Sequence, residues 1–556
     1  MVQASSSSSS SGRRSVEDAI AAVDLSTFDW KAYEGTYTGR ALITRLIHIP
    51  NTLLSPPAKP TTQSINLAKE ALKRLIPHIK NETLDYHTYI QCVNLLKDPA
   101  SRQKIEEDRM EVDESAENDA HESSSMNAST SAGANQVESN GVMDKVWVDD
   151  AKEHERRENS KLSVELTGYL SNLIKESIRL TYLAYAQLSI KVGDSQAAMK
   201  NYAAVREYST SQQHHVDLGV GIVETLLAFN QPQALPGHIS KLEATLDRLH
   251  PPITTSKFQA EAASVTASDI RERREAEARS QAVRRTVMVR IRVGKGLVTL
   301  YNKEWSKAAR ELGAVGEVEG GLGDFEGKAI SSSDLALIIA FTTLASSHRE
   351  KIRRVLLEQT SFKAQVDDGS SWIMDLVRSF VDAKYGEVMR LLYRSEPTLL
   401  LNPFLSAHAQ TLLELIQTRC ILQYVQPFST IHIPLMANSF GLAPGEMLGL
   451  VEILVERREI KGKIDLIDQV LVMKDPDYRG GMFTNALKVG KKASDVTQSA
   501  ILRMKMVEAG LIVDPRPPKN EKTGTGTGAG IDEKGQLTLD EGLGDGLDIE
   551  PISFEA

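Results

Sequence analysis

The stretch from Tyr424 to Lys474 constrains this chain most, because its apolar pattern changes period partway along. Ile433, Met436, Ala437 and Phe440 recur at helical spacing and Gly441 stops that run. A second run opens at Pro444 and carries Met447, Leu450, Val451 and Leu454 on one face. Beyond Gly462 the pattern alternates: Ile464 and Leu466, then Val470 and Val472, parted by the turn-prone Ile467-Asp468-Gln469. Helix, turn, helix and hairpin predict a winged helix, a fold that serves either to read DNA or to bind protein.

The second helix decides between those uses. A base reader needs Arg, Lys, Asn or Gln near the start of that helix. Here Glu446, Met447, Leu448, Leu450, Val451 and Glu452 stand there, and the basic Arg457 and Arg458 come only at the far end. An acidic, apolar helix repels phosphate, so protein contact is the favoured reading and a winged-helix DNA-binding regulator the alternative. The hairpin points the same way. Gln469, Val470, Leu471 and Val472 are the expected partner contacts here, with Val470 and Val472 on a short exposed strand at the sheet edge, where a neighbouring protein could add a strand.

The remainder of the chain reads as helical. Ser-rich residues 1–27 are expected to be disordered, and residues 98–144 form an acidic, then Ser- and Asn-rich, insertion of the same kind. Between them lie Trp30, Tyr33, Tyr37, Leu42, Leu46 and Ile47, punctuated by Gly39 and Pro50, then amphipathic runs at Ile65 to Ile76 and Leu84 to Leu96. From Lys161, residues Leu162, Leu166, Leu170, Leu173, Ser177, Leu180, Ala184 and Leu188 trace one face of an expected single helix, which Gly193-Asp194 ends before another carries on to Tyr208. The run from Asp194 to Ala198 is echoed at Trp305 to Ala309, and no strand pattern intervenes, which predicts a stack of helix pairs. Within it, Asp269 to Arg292 mixes eight arginines with Glu272, Glu275 and Glu277, the pattern of a solvated face with internal ion pairs or, alternatively, of a basic ridge facing an acidic partner. A largely apolar helix is expected at Asp334 to His348, and a long last helix at Thr484 to Ala509. That last helix carries Leu487, Val496, Ala500, Met504 and Val507 toward a partner.

Catalytic chemistry has no foothold in this pattern. Gly323 to Lys328 has phosphate-loop character, but its glycine spacing is short and Ala329 replaces the Ser or Thr that would hold magnesium. Gly294-Lys295-Gly296 lacks the preceding strand of a dinucleotide site. The adjacent pair His214-His215 has no ligand-spaced carboxylate or cysteine beside it in sequence. No cofactor, metal or catalytic residue is therefore expected. Cys92 and Cys420 are the only cysteines, so a disulfide framework is excluded and a reducing compartment expected. A net charge of −9 argues against general nucleic-acid binding, and no apolar run approaches the roughly 20 residues of a membrane span. The start, MVQASSSSSSSGRRS, has no apolar core for a secretory signal.

A helical array that runs without a linker into a winged helix and then a long helix resembles the PCI domain, shared by the proteasome lid, the COP-nine signalosome and an initiation-factor complex. YEGTYTGRALITRLIHI at 33–49, NLIKESIR at 172–179, GDSQAAMKNYAAVREY at 193–208, Ser333 to Leu344, Lys384-Tyr385, LLLNPFLSAH at 399–408 and Ile416 to Leu435 resemble the signalosome members in particular, with lid members the near alternative. Gly462 to Leu466, GKIDL, departs from the Ala-Arg-Ile-Asp-Ser expected there. The resemblance implies a mainly α fold: a right-handed α-solenoid of TPR-like repeats running into a winged-helix PCI domain, then a long C-terminal helix. The expected divisions are a helical-repeat domain at 28–330, the helical part of the PCI domain at 331–423, its winged helix at 424–476, a bundle helix at 484–512 and a flexible tail at 513–556. It further implies a non-catalytic scaffold in cytoplasm and nucleus. The implied partners are other PCI and MPN subunits and, through the assembled complex, cullin-RING ligases, with neither nucleic acid nor membrane bound directly.

Overall fold

The computed structural model describes residues 30–54, 62–96, 143–250, 267–318, 320–473 and 478–510. The expectations for 1–27, for nearly all of 98–144 and for 513–556 lie outside the described residues. The chain divides into two units, one up to Lys474 and one from Asp475 onward.

In the first unit each helix packs on the next, as a repeat array requires. Lys175–Val192 packs between Lys145–Ser171 and Ser195–Tyr208; Gln212–Ala228 packs on Leu235–Leu249; and Ala267–Tyr301 packs on Trp305–Gly316, which leads to Ser332–Ser346. The echo between Asp194 and Trp305 falls on the starts of two helices, displaced by one residue. Ser195–Tyr208 and Trp305–Gly316 are each the second helix of a pair, and alignment at their caps, Asp194 and Glu304, superposes Ala198 on Ala308, both fully buried.

Two expectations are corrected. The leucine face from Leu162 to Leu188 is not one helix: order resumes at Lys145, and the chain reverses between Ser171 and Lys175, with Leu173 at φ 53°. Leu170, Leu173 and Leu180 are consequently exposed, while Ile178, Thr181, Ala186 and Leu188 face inward. The 3.6-residue spacing ran on across the break, so periodicity alone could not detect it. Pro50 is likewise no punctuation; it lies inside Gly39–Leu54. The charged helix meets its expectation of a solvated face with internal pairs only in part, since Arg284 and Arg290 are largely buried against other helices. Arg271 and Arg279 pair with Glu275 on the same helix, while Arg284, Arg290 and Lys295 pair with Asp247, Glu224 and Glu243 on neighbours.

The apolar core runs continuously from Ala186 to Leu471, whereas the helices from Trp30 to Val148 have a core of their own. Ser332–Ser346 lies at the centre of the larger core, every residue from Leu335 to Ala345 being buried, and a Ser331/Asp334 capping box starts it. A polar junction ties the two cores together. The Asp334 carboxylate accepts from Tyr37 Oη at 2.5 Å, Arg45 Nη2 at 2.5 Å and Asn402 Nδ2 at 2.8 Å. Burial works against the charge on Arg45, yet the adjacent Asp334 carboxylate wins and holds the guanidinium above its ordinary pKa. The loop before this helix closes the junction. Thr38 N donates to the Gly327 carbonyl, and Gly327, at φ 76°, has room for no side chain because a Cβ would lie 2.4 Å from the Thr36 carbonyl oxygen.

The second unit contains one described helix, Tyr478–Glu508, which starts earlier than the expected Thr484. Every residue from Gly481 to Gly510 is exposed.

Candidate assembly interface

The winged helix follows Ala409–Val425 directly, as its lack of linker residues predicts. Its two helices are Ile433–Phe440 and Pro444–Glu456. Gly441 separates them in the left-handed conformation, φ 68°, and its N–H donates back to the Ala437 and Asn438 carbonyls. Met436, Ala437 and Phe440 on the first helix and Met447, Val451 and Leu454 on the second are buried, whereas Leu450 is half-buried. An aromatic group clamps this module to the helices before it. Tyr385 stacks on Phe440 with ring centroids 5.4 Å apart, and Tyr424 meets Phe440 edge-on at the same separation. Burial pushes the Tyr385 hydroxyl above its ordinary pKa. Sequence reading missed this clamp, since its members lie on three elements; their shared aromatic character was the available signal.

The sheet corrects the strand placement. It has three strands, β1 (Thr430–His432), β2 (Gly462–Asp465) and β3 (Val470–Met473), in the antiparallel order β1-β3-β2. Val470, Leu471 and Val472 are therefore on the central strand, and β1 and β2 are the edges. The expected edge strand gained a partner because Thr430-Ile431-His432, too short to show alternation, pairs with it: Thr430 opposite Val472, Ile431 opposite Leu471 and His432 opposite Val470. Side chains alternate across this sheet as the pleat demands. Ile431 and Leu471 point into the core, at 6% and 0% exposure, while Val472, at 45%, sits on the outer face between exposed Thr430 and Lys463. Gln469, at φ 52°, closes the turn between β2 and β3. In that turn Asp465 Oδ1 accepts from Ile467 N at 3.0 Å, which holds Ile467 out at 94% exposure.

The remaining site residues lie in the second unit. Leu487, Val496, Met504 and Val507 are 58%, 64%, 71% and 59% exposed, and Ala500 is exposed with them. Met482, Phe483, Val489, Ile501 and Leu502 extend the same exposed apolar surface. The helix that would read bases presents Glu446, Glu452 and Glu456 to solvent, and Arg457 and Arg458 lie just past its end.

The chemical candidates take structural places. In the glycine-rich loop Phe325 is fully buried and Glu326 accepts from the Ser332 hydroxyl at 2.6 Å, so the loop is committed to packing. Gly294 and Gly296 lie inside Ala267–Tyr301. His214 has a carboxylate that the sequence did not place there, Glu176 at 4.0 Å, which also binds Arg179. Among the described residues no group of three or more His, Cys, Asp and Glu side chains could hold a metal ion, and no helix is long and apolar enough to cross a membrane.

Comparison with known proteins covers both halves of the first unit. A family described as 26S proteasome subunit RPN7 matches residues 144–355, and the PCI domain family matches 383–475. The chain is 27% identical over 366 residues to COP9 signalosome complex subunit 1b of Drosophila melanogaster, an alignment covering 66% of this chain and 63% of that protein. It is 23% identical over 366 residues to COP9 signalosome complex subunit 1 of Arabidopsis thaliana, covering 66% and 74%. With subunit 1 of Emericella nidulans the identity is 23% over 499 residues, covering 88% and 84%. The helical array thus leads into a winged helix matched by the PCI domain family, and the chain is similar to COP9 signalosome subunit 1 proteins over 66% to 88% of its length.

Proposed function

We propose that the chain is a non-catalytic scaffold subunit of the COP9 signalosome, the complex that removes a ubiquitin-like modifier from cullins and so regulates cullin-RING ubiquitin ligases. The observation that carries this reading is the likeness to subunit 1 proteins over most of the chain, 88% of it in the longest alignment. The isopeptidase would reside in an MPN subunit, and cullin-RING ligases would be met through the assembled complex in cytoplasm and nucleus. We take 331–423 and 424–476 as the two parts of the PCI module. Assembly would then use two surfaces. Edge strands β1 and β2 can accept strands from neighbouring PCI subunits, with Val472 and Ile467 beside the contact. The helix Tyr478–Glu508 would join a bundle of C-terminal helices. Covering Leu487, Val496, Met504 and Val507 there would contribute about 1.5–3 kcal/mol each before the cost of association.

The test is affinity purification of the tagged chain and identification of what comes with it. Signalosome PCI and MPN subunits are the expected partners. Recovery of proteasome-lid subunits would favour the second reading, which the match to the RPN7 family supports. A DNA-binding regulator is the third reading, and it requires salt-sensitive duplex binding that is lost when Arg457 and Arg458 are replaced; the acidic outer face of Pro444–Glu456 weighs against it.

A further inference from the structure

Along the helix Tyr478–Glu508, Met482, Val489 and Val496 follow one another at seven-residue intervals and are 67%, 66% and 64% exposed. A stripe of that period asks for a chain laid along it, and an uncovered apolar face of this length invites nonspecific association. A second copy is a poor cover. The helix carries six basic residues against two acidic ones, so two such helices repel. The cover that fits is acidic and apolar, and the chain itself contains one. Residues 531–556 hold eight acidic residues and one lysine, interleaved with Leu537, Leu539, Leu543 and Leu547. The joining residues 511–530 end in alternating Thr and Gly from Thr523. Twenty residues of chain can reach at most about 66–72 Å. The helix is about 46 Å long, so residues 531–556 can reach back over its last turns, where Arg503 and Lys505 lie.

We infer that residues 531–556 dock on the helix Tyr478–Glu508, carboxylates against its basic residues and leucines on its exposed stripe, and shield that face until a partner displaces them. The shielding consequence rests on the helix being an assembly element, as proposed above; the contact itself does not.

The test compares the full chain with one ending at Gly530. Amide exchange across 478–510 is measured at low and high salt, and a fluorescent peptide of residues 531–556 is titrated against both chains. Exchange in the helix is expected to be at least about tenfold faster in the shortened chain, with the difference shrinking as salt rises. The peptide should bind the shortened chain, should bind the full chain at least about tenfold more weakly because its own tail competes, and should be lost with Arg503→Glu and Lys505→Glu together. Equal exchange in the two chains with no peptide binding overturns the inference. So does protection that rises with protein concentration, the mark of a second copy, or peptide capture that survives both charge reversals. Co-purification is scored separately on the same two chains. If neither brings down signalosome subunits while the contact persists, the assembly reading falls and the docking stands; if both incorporate but the contact is absent, the docking alone falls.

Discussion

The Arg45–Asp334 pair joins the amino-terminal helices to the main core, and its removal can be worked through atom by atom. Replacing Arg45 with Met leaves the Asp334 carboxylate buried, but Tyr37 Oη and Asn402 Nδ2 still donate to it. Breaking a buried pair by removing one partner costs about 3–5 kcal/mol, and with two donors retained the loss should fall near 3 kcal/mol. Asp334→Leu is the harsher change. It strands a guanidinium whose side chain is 3% exposed, leaving it the Ala329 carbonyl at 3.3 Å and the Tyr37 ring at 3.9 Å. It also destroys the capping box of Ser332–Ser346, worth about another 1 kcal/mol, so roughly 5 kcal/mol in all is expected. The double variant should lose less than the sum, with a coupling of about 2–3 kcal/mol. Hydrogen exchange of amides in Gly39–Leu54 measures these values as local opening free energies, which avoids assuming that a chain with two cores unfolds in one step. Additivity of the two single changes to within about 0.5 kcal/mol would refute the reasoning, since the charges would then not sense each other.

Other expectations are briefer. Leu471→Ala on the central strand should destabilise the winged helix by about 2–5 kcal/mol, while Val472→Asp and Ile467→Asp should leave thermal melting near wild type and reduce co-purification of signalosome subunits. Burial holds the His48 imidazole below its ordinary pKa, against the Leu400 carbonyl it contacts and with help from the Arg45 charge. The unfolded chain therefore takes up a proton at His48 before the folded chain does, so stability should fall as pH drops from about 6.5 toward the folded pKa, and His48→Gln should flatten that part of a stability–pH curve. Gly327→Ala must place a Cβ against the Thr36 carbonyl at a positive φ, for a cost of at least about 1–2 kcal/mol. Faster exchange of the Thr38 amide, which donates to Gly327, would register it.

Much of the fold was legible where a local pattern had a local cause. Pro444 and Gly441 bound the winged-helix turn because ring closure and a left-handed φ act on the residues themselves. The buried helix of Ser332–Ser346 was readable because every side of it is apolar. What stayed hidden depended on partners distant in sequence. A three-residue strand carries too few positions to show alternation, so β1 was invisible and β3 was assigned to the edge. The reversal at Leu173 broke a periodicity that continued on its far side. The Asp334 junction draws on Tyr37, Arg45 and Asn402, which no spacing rule connects. Of the residues expected at the interface, the exposure of Val472, Leu487, Val496, Met504 and Val507 follows from apolar residues standing where the local pattern leaves no neighbour. Leu471 differs because its alternate position in the strand turns it inward.

The order β1-β3-β2 also bears on how the protein is made. The strand made last is the one both others need, so neither Thr430–His432 nor Gly462–Asp465 has a hydrogen-bonding neighbour in the sheet until residues 470–473 have been synthesised. Both helices of the winged helix are made before that strand, and Met447 and Val451 belong to the same core as its Leu471. A pause that left Thr430–His432 and Gly462–Asp465 outside the ribosome with residues 470–473 still inside its tunnel would hold a nascent chain with open strands.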